Sequence, residues 1–287
     1  MAIRTEMMTT MAPVDVKLDK LKGILEEMGT FLLAFSGGLD SSFLLVFSQK
    51  VVPGQFAALT ADSPSLPRRE LEEAIQFARR LGVKYSIIPT DELDAKSYAD
   101  NDPNRCYFCK SYMCGSLRKE ADKWDLQWIC DGMIADDILD FRPGFKAAEE
   151  AGMRHPLAEA GLTKEEIRCA VKEMGYSFWD RAKTTCLASR FPYGTSISKD
   201  RLRMIEESEK LLYDLGFREF RVRYHGEVAR LEIMPEQFTR VLDAKMREQI
   251  IEGVKACGFN YVALDMQGFR SGSMNEALSG DEMEKYT

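Results

Sequence analysis

Apolar residues recur at helical spacing through residues 16–29, where Leu18, Leu21, Ile24, Leu25 and Met28 share one face. The period then changes. Residues 31–35 form an unbroken apolar run, the pattern of a strand covered on both sides. The run ends at Ser36-Gly37-Gly38, and helical spacing resumes over 42–50. Further strands are predicted at 56–60, 84–89 and 128–131, and further helices at 70–81, 110–123, 146–151 and 164–174. Strands alternating with helices in this way predict an α/β fold on a doubly wound parallel sheet.

The texture changes after about residue 198. A helix over 200–215 is followed by strands at 217–224 and 228–234, joined at His225-Gly226-Glu227. One helix over 235–257 and a strand at 261–265 complete this part. Adjacent strands of this kind predict a smaller α+β domain. The division is therefore a tail at 1–16, a first domain at 17–198, a second at 199–276 and a polar tail at 277–287.

Charge and cysteine content narrow the function. A formal charge of −7 argues against a sequence-independent grip on nucleic acid, which needs a basic surface. It leaves room for a local basic pocket and a small anionic substrate. No run of about 18 apolar residues is present, so no membrane partner is expected. Residues 1–14 lack the charged head, apolar stretch and cleavage site of a secretory signal. A cytoplasmic protein is expected, and in that reducing setting seven cysteines point to metal binding or chemistry rather than disulfides.

The strongest chemical signal is Ser36-Gly37-Gly38-Leu39-Asp40-Ser41-Ser42, between a buried strand and a helix. Two glycines allow a sharp turn and close approach to a ligand. Ser36, Ser41 and Ser42 supply hydroxyls, and the helix start supplies unpaired N–H groups and a positive dipole end. The result is an anion cradle, in which Asp40 would repel a phosphate unless it held Mg²⁺ or capped the turn. The bland alternative is a glycine turn capped by Asp and Ser. Ala58, Thr60 and Asp62 close the second strand, where a doubly wound sheet places its ligand crevice. Asp131-Gly132, with Asp136 and Asp137 beyond, closes the fourth.

Cys106 and Cys109 form a C-x-x-C, which alone fits metal ligation, a redox dithiol or coincidence. Cys186 is flanked by Arg181, Lys183 and Arg190, whose charge would favour a thiolate. Cys114, Cys130, Cys169 and Cys257 occupy apolar positions and are expected to pack as small hydrophobes. His155 is expected to be structural, and Tyr98, Trp124 and Trp128 to pack in the core.

Taken together, SGGLDSS, NRCYFCK, PLAEAGLTKEEIR and TTCLASRFPYGTSIS resemble the LarE family of PP-loop ATP pyrophosphatases. RVRYHGEVARLEI and YVALDMQGFRSGSMNE are also similar to that family. The resemblance runs from about Lys17 to Glu276. It implies an ATP-dependent sulfur transferase that adenylates the carboxylates of pyridinium-3,5-biscarboxylic acid mononucleotide and replaces AMP by sulfur, in nickel-pincer nucleotide synthesis. ATP and Mg²⁺ would be held by Ser36, Gly37, Gly38, Asp40, Ser41 and Ser42, with Ala58, Thr60 and Asp62 at the nucleotide. Cys106, Cys109 and Cys186 resemble the family type in which three cysteines hold a 4Fe–4S cluster carrying an extra sulfide. The alternative within the family is a sacrificial Cys186 that gives up its own sulfur.

Ser189, Arg190, Arg221 and Arg223 would bind the anionic substrate, Arg221 and Arg223 sharing one strand face. A solvated sheet face is the alternative for these arginines. Glu232, Asp265 and Arg270 are weaker candidates, and His225 fits a turn histidine better than a ligand. The resemblance also implies a homo-oligomer such as a hexamer, formed with the second domain, and a separate sulfide donor. Three competing readings are a PP-loop tRNA thiolase, an amide-forming synthetase and a protein that binds ATP without cleaving it. The first needs a basic tract, the second has no use for Cys186, and the third would form no AMP.

Overall fold

The computed structural model describes residues 14–139, 143–181, 185–270 and 273. The predicted tails, apart from residues 14–16, and Lys183 lie outside the described residues. The first part holds α1 (Val14–Met28), β1 (Phe31–Ala34), α2 (Leu39–Val51), β2 (Phe56–Asp62), α3 (Arg68–Leu81) and β3 (Lys84–Pro89). It continues with α4 (Lys96–Ala99), α5 (Arg105–Lys123), β4 (Trp128–Cys130), α6 (Pro143–Glu150), α7 (Pro156–Ala160) and α8 (Lys164–Glu173). The strands form one parallel sheet in the order β3-β2-β1-β4.

Both faces of this sheet are covered, which explains the unbroken apolar runs. Leu32, Ala57, Leu59 and Ile129 meet Cys114, Leu117 and Ala121 of α5 and Ala148 of α6. Phe31, Leu33, Phe35 and Ala58 turn the other way, onto α1, α2 and α3. The chain steps outward from β1 to β3 and then returns through α5 on the opposite face to set β4 beside β1. Strand order therefore reverses at β1, where the crevice of a doubly wound sheet opens at the carboxyl ends. The Ser36-Gly37-Gly38 turn leaves β1 at that point.

The second part adds α9 (Lys199–Asp214), β5 (Phe220–His225), β6 (Val228–Ile233), α10 (Phe238–Leu242), α11 (Ala244–Ala256) and β7 (Tyr261–Leu264). β5 and β6 form an antiparallel hairpin, and β7 runs parallel to β6 on its far side. Leu202, Ile205 and Leu212 of α9 and Ile250 and Val254 of α11 pack on Val222, Ala229 and Leu231. Tyr98 joins this second core, and the partly buried Leu93 and Cys109 pack against it, so the seam between the two halves runs beside the C-x-x-C.

Three expectations about elements need correction. The helix at 235–257 is interrupted: Asp243 is extended, and its carboxylate accepts from the N–H groups of Lys245 and Met246, both at 3.1 Å, to start α11. α5 begins at Arg105 rather than Lys110, placing both cysteines of the C-x-x-C in its first two turns. α2 begins at Leu39, so Asp40, Ser41 and Ser42 stand in its first turn. Among the described residues, no helix is long and apolar enough to cross a membrane.

Candidate active site

The phosphate loop is built by close approach. Gly37 has φ +76°, and a Cβ there would lie 3.1 Å from the Cβ of Ala74 on α3. Gly38 caps α2 without a side-chain hydrogen bond, which leaves first-turn amides for an anion. Ser36 and Ser41 join their hydroxyls at 3.0 Å, and Ser41 donates to the Gly38 carbonyl at 3.2 Å. Asp40 is met by a cation absent from the sequence expectations: Lys164 Nζ lies 2.9 and 2.7 Å from its two carboxylate oxygens. Lys164 is placed by a capping box, Thr163 with Glu166, at the start of α8. The sequence signal for it was its place in TKEEIR, directly after a helix cap.

β4 delivers a second set of groups to the loop. A Cβ on Gly132 would fall 2.7 Å from the Ser41 amide nitrogen, so that backbone abuts the start of α2. Next to it, Asp131 accepts from Lys110 Nζ at 2.5 Å and from the Met133 N–H at 3.1 Å, and pairs with His155 Nδ1 at 2.8 Å. Burial opposes ionisation of Asp131, but Lys110 and His155 outweigh it and hold its pKa well below the usual carboxylate range. Lys110 therefore ties the cysteine helix to the end of β4.

Removing one member of such a buried pair strands the other. Lys110→Met is expected to destabilise the protein at pH 7 by about 3 kcal/mol, read from denaturant melts. Because folding depresses the Asp131 pKa, its contribution is full above the unfolded value of about 4 and fades as pH falls below it. The gap between variant and parent should accordingly narrow in melts below about pH 4.

At the end of β2, Ala58 is fully buried in the core and Thr60 donates to the Phe35 carbonyl at 2.6 Å. Asp62 pairs with Arg68 at 2.5 Å. Ala58 and Thr60 are buried, and Asp62 is half-buried at the carboxyl end of the strand.

The three cysteines are brought together. Cys106 and Cys109 project from α5, and Cys186 precedes the short turn Leu187–Arg190, with Cys106 and Cys186 exposed. The Cys109 thiol is pushed far up by burial and then by Cys186, Glu92 and Cys106, with Arg105 partly offsetting them. Arg105 is a second cation that sequence reasoning missed. It is buried, donates to Asn101 and to the Ala188 carbonyl, the latter at 3.0 Å, and keeps its charge against desolvation through Cys186 and Cys106. The Tyr98 hydroxyl donates to Ser65 Oγ at 2.9 Å, and the Leu187 N–H donates to the Ser65 carbonyl at 2.8 Å. The loop after β2, the start of α5 and the Cys186 segment thus converge. Among the described residues, no three His, Cys, Asp or Glu side chains are set as ligands for a single metal ion.

Of the cations that flank Cys186 in sequence, Arg190 donates to the Cys186 carbonyl at 3.1 Å. Arg190 is 1% exposed and forks onto Glu209 at 2.8 and 2.9 Å, while Arg181 reaches Gly37 and Glu73. Cys114 and Cys130 are buried as anticipated, whereas Cys169 is exposed.

Arg221 and Arg223 do not form a solvated face. Arg223 is buried and donates to Glu232 at 2.7 Å, to Ser273 Oγ at 2.8 Å and to the Ser189 carbonyl at 2.8 Å. Arg221 lies over the Phe269 ring at 5.0 Å, and burial followed by the charge of Arg190 brings its pKa down to about 10. Arg230 shares Glu232 and also meets Asp265, which Arg270 approaches at 3.9 Å. Ser189 Oγ donates to the Cys186 carbonyl at 2.8 Å, so this basin adjoins the cysteine segment. His225 is exposed at the hairpin end.

Comparison with known proteins fits this geometry. Residues 15–121 match the NAD synthase family. Pyridinium-3,5-bisthiocarboxylic acid mononucleotide synthase of Lactiplantibacillus plantarum is 33% identical over 278 residues, covering 96% of this chain and 100% of that protein. The chain belongs to the LarE family. An uncharacterised protein of Synechocystis is 36% identical, covering 93% of this chain and 99% of its own length. Another, from Methanocaldococcus jannaschii, is 30% identical, covering 89% and 98%. The LarE relation thus extends through both sheets, well past the NAD synthase match.

Proposed function

We propose that the protein is an ATP-dependent sulfur transferase acting on pyridinium-3,5-biscarboxylic acid mononucleotide. The observation that carries the reading is the convergence of three thiols beside the crevice that holds the phosphate loop. The amides of Gly38 and the first turn of α2, with Ser36, Ser41 and Ser42, grip the ATP phosphates. Asp40 supplies a carboxylate for Mg²⁺, and Lys164, released from Asp40, is placed to offset charge on the departing pyrophosphate. A substrate carboxylate attacks the α-phosphorus, the α–β bridging bond breaks, and an acyl adenylate remains. Sulfur then displaces AMP, giving the thiocarboxylate.

Five arginines, Arg190, Arg221, Arg223, Arg230 and Arg270, face three carboxylates, Glu209, Glu232 and Asp265, and the excess positive charge suits an anionic nucleotide. In this reading Arg221, Arg223 and Ser189 meet the substrate, and Arg190 acts through Glu209 to hold that face. Residues 199–276 serve substrate binding and assembly into a homo-oligomer.

The thiols fit an iron–sulfur group better than a single ion. They are close enough to influence one another and have Arg105 at hand to balance thiolate charge. Cys106, Cys109 and Cys186 would hold a 4Fe–4S cluster. With three protein ligands, such a group supplies an exchangeable sulfide at its remaining iron.

Two measurements test the reading. Pyrophosphate release should depend on the pyridinium dicarboxylate nucleotide and not on tRNA; stimulation by tRNA alone sinks it. Anaerobically purified protein should contain iron and sulfide that are lost in Cys106→Ala. Colourless, iron-free protein whose Cys186 becomes dehydroalanine on turnover would instead establish the sacrificial route.

A further inference from the structure

Arg181 follows the short turn Ser177–Asp180 and precedes Cys186 by five residues, yet its side chain leaves the cysteines. Nη1 donates to the carbonyl of Gly37 in the phosphate loop, and Nη2 to Oε2 of Glu73 on α3 at 2.9 Å. The Gly37 carbonyl also accepts from Ser42 Oγ at 3.2 Å. These donors hold one side of the Gly37–Gly38 peptide. A planar trans peptide points its carbonyl and its N–H in opposite directions, so anchoring the Gly37 oxygen turns the Gly38 N–H away from Arg181. That N–H makes a long 3.4 Å contact with Ser36 Oγ, on the exposed side of the loop.

A peptide between two glycines is also the softest part of the loop. Neither residue has a Cβ to resist rotation, and Gly37 already sits at φ +76°. Without an anchor on the carbonyl, the amide can turn out of register with a phosphate. A guanidinium suits the task because its planar fork spans the carbonyl and the Glu73 carboxylate together. A lysine could satisfy one of them.

We propose that Arg181 is a positioning residue of the phosphate loop: it fixes the Gly37–Gly38 peptide with its amide toward the ATP phosphates. The proposal rests on the ATP-pyrophosphatase reading.

The test compares Arg181→Ala and Arg181→Lys with the parent, by calorimetric titration with Mg·ATP and by the rate of pyrophosphate release with the acid substrate. Arg181→Ala should weaken Mg·ATP binding about tenfold and lower kcat by about tenfold to a hundredfold, somewhat less than outright loss of an anion-stabilising donor. The KM for the acid should stay unchanged. Arg181→Lys should recover most of both losses, since an ammonium can still reach the Gly37 carbonyl. If Arg181→Ala does not fold, Arg181→Gln is read in its place with the same expectations. Parent-like binding and rate in the alanine variant, or equal losses in the alanine and lysine variants, overturn the proposal. A parent that binds Mg·ATP but releases no pyrophosphate overturns the ATP-pyrophosphatase reading, while the binding comparison still decides Arg181.

Discussion

In a Cys186→Ala variant, acid-dependent pyrophosphate release is expected to continue while thiocarboxylate formation stops. Cys186 is exposed beside Cys106 and Cys109, and its side chain forms no part of the phosphate loop. Loss of the thiol should therefore leave adenylation near the parent rate and cut sulfur transfer by about a thousandfold or more, as for a group that acts directly on the reacting centre. Mass spectrometry of the quenched reaction would find adenylate and hydrolysed acid in place of product. Equal loss of both half-reactions would show that the thiol also supports the ATP site.

Gly132→Ala is expected to give the opposite division. The added Cβ would meet the Ser41 amide nitrogen at 2.7 Å and its Cα at 2.8 Å, and both are backbone atoms with nowhere to swing. The start of α2 or the end of β4 must move. A displacement approaching 1 Å in a group that positions a reacting phosphate costs about a hundredfold in rate. Pyrophosphate release should fall by that order, while in the proposed reading the iron and sulfide content of the protein stays at the parental level. A parental adenylation rate would mean the two backbones can separate at no cost to the chemistry.

What the sequence made legible was contiguous. The phosphate loop is one string between a strand and a helix, and β1, β2 and β4 follow from apolar runs that the two-sided cover explains, whereas β3 stands at the sheet edge with no buried residue. What it hid was held together through space. Asp40 and Lys164 are 124 residues apart, and nothing local to either announces the other. Lys110 and Arg105 read as ordinary charged residues because burial of a cation depends on a partner from another element. Arg181 was assigned to its neighbour in sequence, Cys186, when its neighbours in space are Gly37 and Glu73. The start of α5 was misplaced because its first turns bury Arg105 and half-bury Cys109, which leaves no apolar period to detect. The break at Asp243 was hidden for the opposite reason: an apolar period continues across it, and the turn is made by a cap.

The return of α5 across the sheet has a consequence for how the molecule is made. A chain emerging from the ribosome presents the phosphate loop first, but β4, which flanks it, arrives only with residues 128–130. The C-x-x-C emerges earlier still than β4, and waits for residue 186 before its third thiol exists. Contacts so distant along the chain form late. During synthesis the C-x-x-C pair therefore precedes its third thiol, and any group that needs all three can be loaded only once residue 186 has been made.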